Sequence, residues 1–540
     1  MKHPDTPQMN ETREASPRRW LGRLACALAG LLLLPLVVNA QLPSPTYGWN
    51  LGNTLEPPSG EGTWGPAATQ NLINAVADSG FNVIRLPVAW DSHANQSTYQ
   101  IDPAWMARVK QVVDWCVARN LYIVLNSHWD GGWLDNNIGN SPNPTVTQKM
   151  QAYWTQIANT FKNYDHRLLF AGANEPPADT AAQVATLMNY YQTFVNAVRA
   201  TGGSNSSRWL VIQGPHTNID KTYDMVNTLP SDSASGRLMI EVHHYPYQWS
   251  LMTQDESWGK MFYFWGQGYH SSTLTDRNST WGEEAYTDEQ FGKMATKFVN
   301  NGIPVIIGEW GAVKRTGYGN LTGTELNRHL ASRTFFSKTI TDKANALGLK
   351  PIWWDAGGTG SNTMWLFDRS TAAIIDLDNL RALTGGAALP PPGGGGIIAN
   401  GIYRIVARHS GKALEVGGFG VNNGSNVQQW GYAWGENQRW MVRHLGNNQY
   451  SIIGAESGKA LDVSGWGTGN GSNVHIWTYG GGANQKWTIT ATSGGYYRLT
   501  PTHATNMALD VNGVSSADGA NVHIWTYGGG NNQQWTFQAP

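Results

Sequence analysis

The sequence predicts an α/β domain, a (β/α)8 TIM barrel, followed by a separate all-β domain of three lobes. Three observations carry this expectation. From Tyr47 to about Leu383, short β-rich apolar runs alternate with longer helical patterns, as repeated βα units around a parallel sheet require. Beyond residue 397 a β-rich unit recurs three times. Between them lies Leu389-Pro390-Pro391-Pro392-Gly393-Gly394-Gly395-Gly396, a stiff polyproline piece followed by a flexible glycine piece. The expected divisions are residues 1–40, 41–388, 389–396 and 397–540.

The first forty residues read as a secretory signal. Lys2, Arg13, Arg18, Arg19 and Arg23 precede an apolar run from Leu24 to Val38, and Val38-Asn39-Ala40 offers small residues for cleavage. The run is 15 residues long, short of the about 20 that span a bilayer. The mature chain is therefore expected to be extracellular and free of the membrane. Of 2 cysteines, Cys26 leaves with this segment, so no intramolecular disulfide can form. Cys116, within an apolar helical pattern, reads as a small buried hydrophobe.

Eight strands follow in order: Gly48–Leu51, Asn82–Leu86, Leu121–Asn126, Leu168–Ala171, Trp209–Gln213, Leu238–His243, Pro304–Ile307 and Pro351–Trp354. Helical patterns separate them over Ala67–Asp78, Pro103–Arg119, Val146–Asn163, Ala181–Ala200, Asp288–Asn300 and Glu325–Ala346. A doubly wound open sheet is the alternative, but no glycine-rich fingerprint opens a first βα turn, which favours the barrel.

After the linker, Asn426-Val-Gln-Gln-Trp430, Asn473-Val-His-Ile-Trp477 and Asn521-Val-His-Ile-Trp525 each precede a Gln-x-Trp, ending at Trp440, Trp487 and Trp535. The spacing is 47 and then 48 residues. Upstream stand Lys412-Ala-Leu-Glu-Val416, Lys459-Ala-Leu-Asp-Val463 and Met507-Ala-Leu-Asp-Val511. One such unit cannot bury its apolar face alone, so three lobes around a pseudo-threefold axis are expected, with the Gln-x-Trp tryptophans in the core.

Composition narrows the function. With 37 Lys+Arg against 38 Asp+Glu and a net charge of -1, the chain lacks the basic excess that nucleic acid or an anionic membrane demands. Charged residues make up 14% and hydrophobic ones 41%, enough for a large core. Of the 26 tryptophans a core needs some, and so does a surface that binds flat apolar faces such as those of sugar rings.

Polar residues at the carboxyl ends of barrel strands point into the active-site mouth. Here they are Arg85, Asn126 and His128, Asn174 and Glu175, His243 and Tyr245, Glu309, and Trp354 and Asp355. Two carboxylates, Glu175 and Glu309, converge on one pocket, and such a pair is what glycoside hydrolysis uses: one protonates the leaving oxygen and the other attacks or activates water. Among the loop tryptophans, Trp129 and Trp133 in Trp129-Asp-Gly-Gly-Trp133 are the better subsite candidates. No zinc spacing, P-loop or Gly-x-Ser-x-Gly elbow occurs, so neither metal nor cofactor is expected.

These residues carry a resemblance. Gly48-Trp-Asn-Leu-Gly-Asn-Thr54, Arg85-Leu-Pro87, Asn126-Ser-His128, Asn174-Glu-Pro176, His243-His-Tyr245, Gly308-Glu-Trp-Gly311 and Trp353-Trp-Asp355 resemble glycoside hydrolase family 5, the family of many retaining cellulases. The resemblance implies that Glu175 is the acid/base and Glu309 the nucleophile, about 5 to 5.5 Å apart. Both cannot ionise easily, so the better-supplied group stays charged; Arg85, Tyr245 and His243 are the expected donors around Glu309, and Glu175 keeps its proton. Asn174 is expected to hydrogen-bond the sugar 2-OH, Trp354 to floor the cleavage point, and His128 to position the substrate. Where members often carry a second histidine, this chain has Trp129, so the aglycone side differs. The expected activity is a secreted endo-β-1,4-glucanase acting as a monomer on a β-glucan of the plant cell wall type, an uncharged polymer. The alternatives are a xyloglucanase, mixed-linkage glucanase or β-mannanase on the same barrel, or a non-catalytic carbohydrate-binding protein.

Residues 397–540 resemble the ricin-type β-trefoil, carbohydrate-binding module family 13. The resemblance implies sugar sites at Asp462, His475, Trp477 and Asn484 in the second lobe, and at Asp510, His523, Trp525 and Asn532 in the third. The first lobe departs, with Glu415 in place of aspartate beside Gln428, Trp430 and Asn437.

Overall fold

Eight parallel strands close into a barrel in the computed structural model: β1 (Gly48–Asn50), β2 (Val83–Leu86), β3 (Tyr122–Asn126), β4 (Leu168–Ala171), β5 (Leu210–Gln213), β6 (Leu238–His244), β7 (Val305–Trp310) and β8 (Lys350–Trp353). Closure is parallel, Gly48 of β1 facing Ile352 of β8. The structure describes residues 42–257, 259–318, 321–357, 362–386 and 397–539; the expected leader 1–40 and linker 389–396 lie outside them. Among the described residues no helix is long and apolar enough to cross a membrane.

The connecting helices start where local chemistry directs. Thr69 caps Gln70–Asp78 by accepting from the Leu72 amide, and Asp102 and Asn143 cap helices that open on Pro103 and Pro144. Thr180 and Gln183 form a reciprocal capping box on Ala181–Ala200. Three shorter helices, Ile219–Met225, Tyr247–Ser250 and Leu377–Leu383, lack the length to show a period in the sequence. Cys116 is buried on Pro103–Ala118, as its apolar surroundings implied.

Strand alternation sorts the barrel interior into layers. Val83, Val124, Leu169, Val211, Met239, Ile306 and Ile352 form one fully buried apolar cluster. Two residues further along β2, β3, β5 and β6 the same inward face carries Arg85, Asn126, Gln213 and Glu241, all wholly buried. The polar layer thus lies directly above an apolar plug, at the mouth. Between β6 and β7 the register shifts: Val242 faces Ile307, but His243 faces Glu309, leaving Gly308 as the extra residue of a bulge.

The second domain has twelve antiparallel strands between Gly401 and Gln538. Its three lobes share one core bond: the indoles of Trp440, Trp487 and Trp535 donate to the carbonyls of Leu414, Leu461 and Leu509 at 2.9, 2.9 and 3.0 Å. Asn426 donates to Asn521 (2.8 Å), Asn521 to Asn473 (2.9 Å) and Asn473 to Asn426 (3.0 Å), closing an amide ring between the lobes. Threefold sequence repetition becomes threefold hydrogen bonding.

Candidate active site

Arg85 organises the mouth of the barrel. Its guanidinium is wholly buried and meets Glu241 Oε1 through Nε (2.8 Å) and Glu309 Oε1 through Nη1 (2.9 Å). Nη2 donates to Asn174 Oδ1 at 2.8 Å, and Nη1 also to Asn50 Oδ1 at 3.1 Å. A guanidinium buried this way persists only because two carboxylates balance it. With its oxygen committed to Arg85, Asn174 has its amide N–H free to turn toward a ligand.

The two carboxylates differ in setting. The Glu309 side chain is 9% exposed, whereas that of Glu175, at the rim, is 45% exposed. One oxygen from each and one ring nitrogen of His243 all lie within 4.8 Å of one another. The donors divide differently from the sequence expectation. Glu309 has Arg85 and the Tyr245 hydroxyl (3.3 Å), but His243 Nδ1 sits 2.6 Å from Glu175 Oε1 and 3.7 Å from Glu309 Oε2. His243 is therefore the hydrogen-bond partner of Glu175, although the bulge at Gly308 sets it opposite Glu309 in the sheet.

This corrects the proton assignment as well. Burial pushes Glu175 up, but the bond from His243, its charge and that of Arg85 outweigh burial and hold the carboxyl below its usual range. Burial would lower His243, yet Glu309, Glu175 and Glu241 lift it to about 9. The resting proton of this pair thus lies on His243 rather than on Glu175. Burial raises Glu309 above its usual range, opposed by His243 and Arg85 and assisted by the charges of Glu175 and Glu241.

Around this centre, Trp354 and His128 stack at 6.1 Å and 9°. Burial, Arg85 and His243 hold His128 well below its ordinary value, so it is a neutral ring. Trp129 stands 46% exposed, but Trp133 is 8% exposed and packs edge-on against Tyr153 at 5.6 Å, which removes it as a subsite candidate. Asp355 also leaves the site: it is wholly buried, accepting from the Trp49 indole (2.9 Å) and the Leu366 amide (3.0 Å) and paired with Arg369 (3.1 Å). Sequence reasoning missed Glu241 and Gln213, which share a 2.6 Å bond beneath His243. The available signal was a glutamate inside the apolar run Leu238-Met-Ile-Glu-Val242, two residues from His243 on the same face.

In the second lobe of the trefoil, Asp462 takes His475 Nε2 and Asn484 Nδ2, both at 2.9 Å. Asp510 does the same in the third lobe with His523 (3.0 Å) and Asn532 (2.9 Å). Trp477 and Trp525 stack on those histidines at 5.4 Å and are 44% and 43% exposed. Each set lines a cavity, of about 540 Å³ in the second lobe and about 470 Å³ in the third. In the first lobe the longer Glu415 reaches Gln438 of the Gln-x-Trp, and its two oxygens accept from Gln428 and Gln438 at 2.8 Å each. Asn437 donates to the Val416 carbonyl (3.0 Å), as Asn484 and Asn532 do to Val463 and Val511, but where those two also bond the aspartate, the Glu415 oxygens accept from the two glutamines.

A closed parallel barrel with two carboxylates drawn together at its mouth and an arginine beneath them has the arrangement of a glycosidase. Comparison with known proteins agrees. Residues 48–360 match the family model Cellulase (glycosyl hydrolase family 5), and residues 396–477 and 483–540 match Ricin-type beta-trefoil lectin domain-like. Endoglucanase A of Paenibacillus barcinonensis is 33% identical over 367 residues, 63% of this chain and 87% of that protein. A xyloglucan-specific endo-beta-1,4-glucanase of Bacteroides ovatus is 35% identical over 359 residues, 63% of this chain and 68% of that protein. The crystal structure of a xyloglucan-specific β-1,4-glucanase from a ruminal metagenomic library, in complex with the oligosaccharide XXLG, aligns with a TM-score of 0.57 and 39% identity over 64% of this chain and 96% of that one. The chain belongs to glycosyl hydrolase family 5 and carries a ricin-type trefoil after its catalytic barrel.

Proposed function

We propose that this chain is a secreted, retaining endo-β-1,4-glucanase that cuts internal bonds of β-glucans. The observation that carries the mechanism is the approach of Glu175 to Glu309, with Arg85 bonded to Glu309 alone of the two. Glu309 attacks the anomeric carbon while Glu175 protonates the leaving oxygen; Glu175 then takes a proton from water as the glycosyl ester is hydrolysed. The Asn174 amide serves the 2-OH, where the hydrogen bond strengthens as positive charge develops at the anomeric carbon. Trp354, backed by neutral His128, gives the sugar an apolar face.

A narrower reading, activity specific for xyloglucan, is favoured by the 39% identity to a xyloglucan-specific enzyme. A reducing-sugar panel over cellulose derivatives, xyloglucan, lichenan, mannan and xylan separates the two. Release from several β-1,4-glucans is expected, release from xyloglucan alone selects the narrower reading, and no release from any polymer reduces the chain to a binding protein. Proton NMR of the products is expected to show the β-anomer first. The trefoil anchors the enzyme on glycan through its second and third lobes. Export with cleavage after Ala40 is tested by sequencing the secreted product, which should begin at Gln41.

A further inference from the structure

Beneath the reacting groups lies a third carboxylate. Glu241 is wholly buried on β6, with Oε1 2.8 Å from Arg85 Nε and 3.4 Å from His243 Nε2, and Oε2 2.6 Å from Gln213 Nε2. The chain keeps room for it, since a Cβ on Gly308 would lie 1.9 Å from Oε1. Glu241, His243 and Glu175 stand in a row, the imidazole bridging the two carboxylates by its two nitrogens. We propose that they form a proton relay in which Glu241 holds His243 as the donor that loads Glu175. This deepens the assignment of Glu175 as acid/base and rests on it.

The argument is one of charge through the reaction cycle. His243 faces Glu175 after β4, Glu309 on β7 and Glu241 on its own strand; Arg85 of β2 pairs with the last two, and the charge of His243 acts on His128 after β3. Two of the three carboxylates change charge during turnover: Glu309 becomes a neutral ester, and Glu175 gains and loses a proton. Glu241, out of reach of substrate and paired with Arg85, stays an anion throughout. It is the constant charge that keeps the Nε2 proton in place and Nδ1 aimed at Glu175.

The steps balance. The Nδ1 proton passes to Glu175 Oε1, leaving the N–H electron pair on Nδ1. The protonated carboxyl delivers that proton to the glycosidic oxygen as the bond from the anomeric carbon to that oxygen breaks and the bond to Glu309 forms. His243 is then neutral, its remaining proton on Nε2 toward Glu241. When water displaces Glu309 from the anomeric carbon, its proton returns through Glu175 to Nδ1, and the imidazolium and both carboxylates are restored.

The test compares Glu241→Gln with the unaltered enzyme on a soluble β-glucan and on 2,4-dinitrophenyl β-cellobioside, whose leaving group needs no proton. Loss of kcat/KM on the glucan is expected to exceed loss on the aryl glycoside by about tenfold or more, within the range that general acid catalysis supplies. The alkaline limb on the glucan is expected to move to lower pH, because removing the anion lets His243 lose its proton sooner. Equal losses on both substrates with an unmoved limb would make Glu241 a structural residue only. A nitrogen-15 NMR titration of the unaltered enzyme needs no variant: His243 is expected to be an imidazolium at pH 7, and a neutral ring there overturns the relay. If the unaltered enzyme fails to turn over both substrates, the glycosidase reading itself fails; turnover with an unshifted ratio and limb overturns the relay alone.

Discussion

Glu309 and Glu175 divide their labour through their neighbours. Glu309 is bonded to the fixed charge of Arg85, whereas Glu175 has a partner, His243, that can give up a proton. Glu309→Gln is therefore expected to abolish turnover in a steady-state assay, because no nucleophile remains. Glu175→Gln should lower kcat on polysaccharide by about 10² to 10⁴ while sparing substrates with good leaving groups. The pH profile of kcat/KM follows from the same contacts. Glu309 must be an anion to attack, and burial raises it, so activity falls as the pH drops through a limb above the ordinary carboxylate range. The Glu175–His243 pair must hold a proton, so activity is lost again as the pH rises through a limb set by His243, lifted to about 9. An alkaline limb below the ordinary histidine value would contradict this assignment.

At the scale of elements, the bulge between β6 and β7 decides which way the site faces. Gly308 supplies the extra residue, and its carbonyl is held by the Asn50 amide at 2.8 Å. Without the bulge, alternation would turn Glu309 out of the mouth. Gly308→Ala places a Cβ 1.9 Å from Glu241 Oε1, a clash that must displace either the carboxylate or the strand. Overpacking of this kind costs about 1 to 3 kcal/mol, so urea unfolding should show a reduced midpoint together with a fall in kcat. An unchanged midpoint would mean that the β6–β7 register tolerates a side chain there.

At the scale of the molecule, cleavage and anchoring reside in different folds. The second and third trefoil lobes present an aspartate held by histidine and asparagine beside an exposed tryptophan, and the first has tied its carboxylate into its own core. Retention on insoluble β-glucan, measured by depletion from solution, is expected to drop partly with Asp462→Ala or Asp510→Ala and to vanish when both are combined. Two weak sites that engage one polymer multiply their effect, so the double variant should lose more than either single one. Glu415→Ala is expected to leave retention in place, and its loss there would return the first lobe to the binding surface.

Much of this protein is legible in the sequence. The eight strands fall within a few residues of their expected places, because a buried strand shows itself as a local apolar run bounded by turns. The repeat of Asn426, Asn473 and Asn521 and of the Gln-x-Trp tryptophans becomes an amide ring and three equivalent buried indoles. Glu175 and Glu309 stand at the carboxyl ends of strands, where chain order alone places them in the mouth. What the sequence could not show is which groups meet across long separations. His243 and Glu175 are 68 residues apart, Arg85 and Glu309 224, and their pairing depends on strand stagger and on one bulged residue. Trp129 and Trp133 sit in one loop, yet one is exposed and the other buried against Tyr153. A period-two pattern assigns a side chain to a face of the sheet, but its height in the barrel, and so its partners, exist only once the sheet has closed.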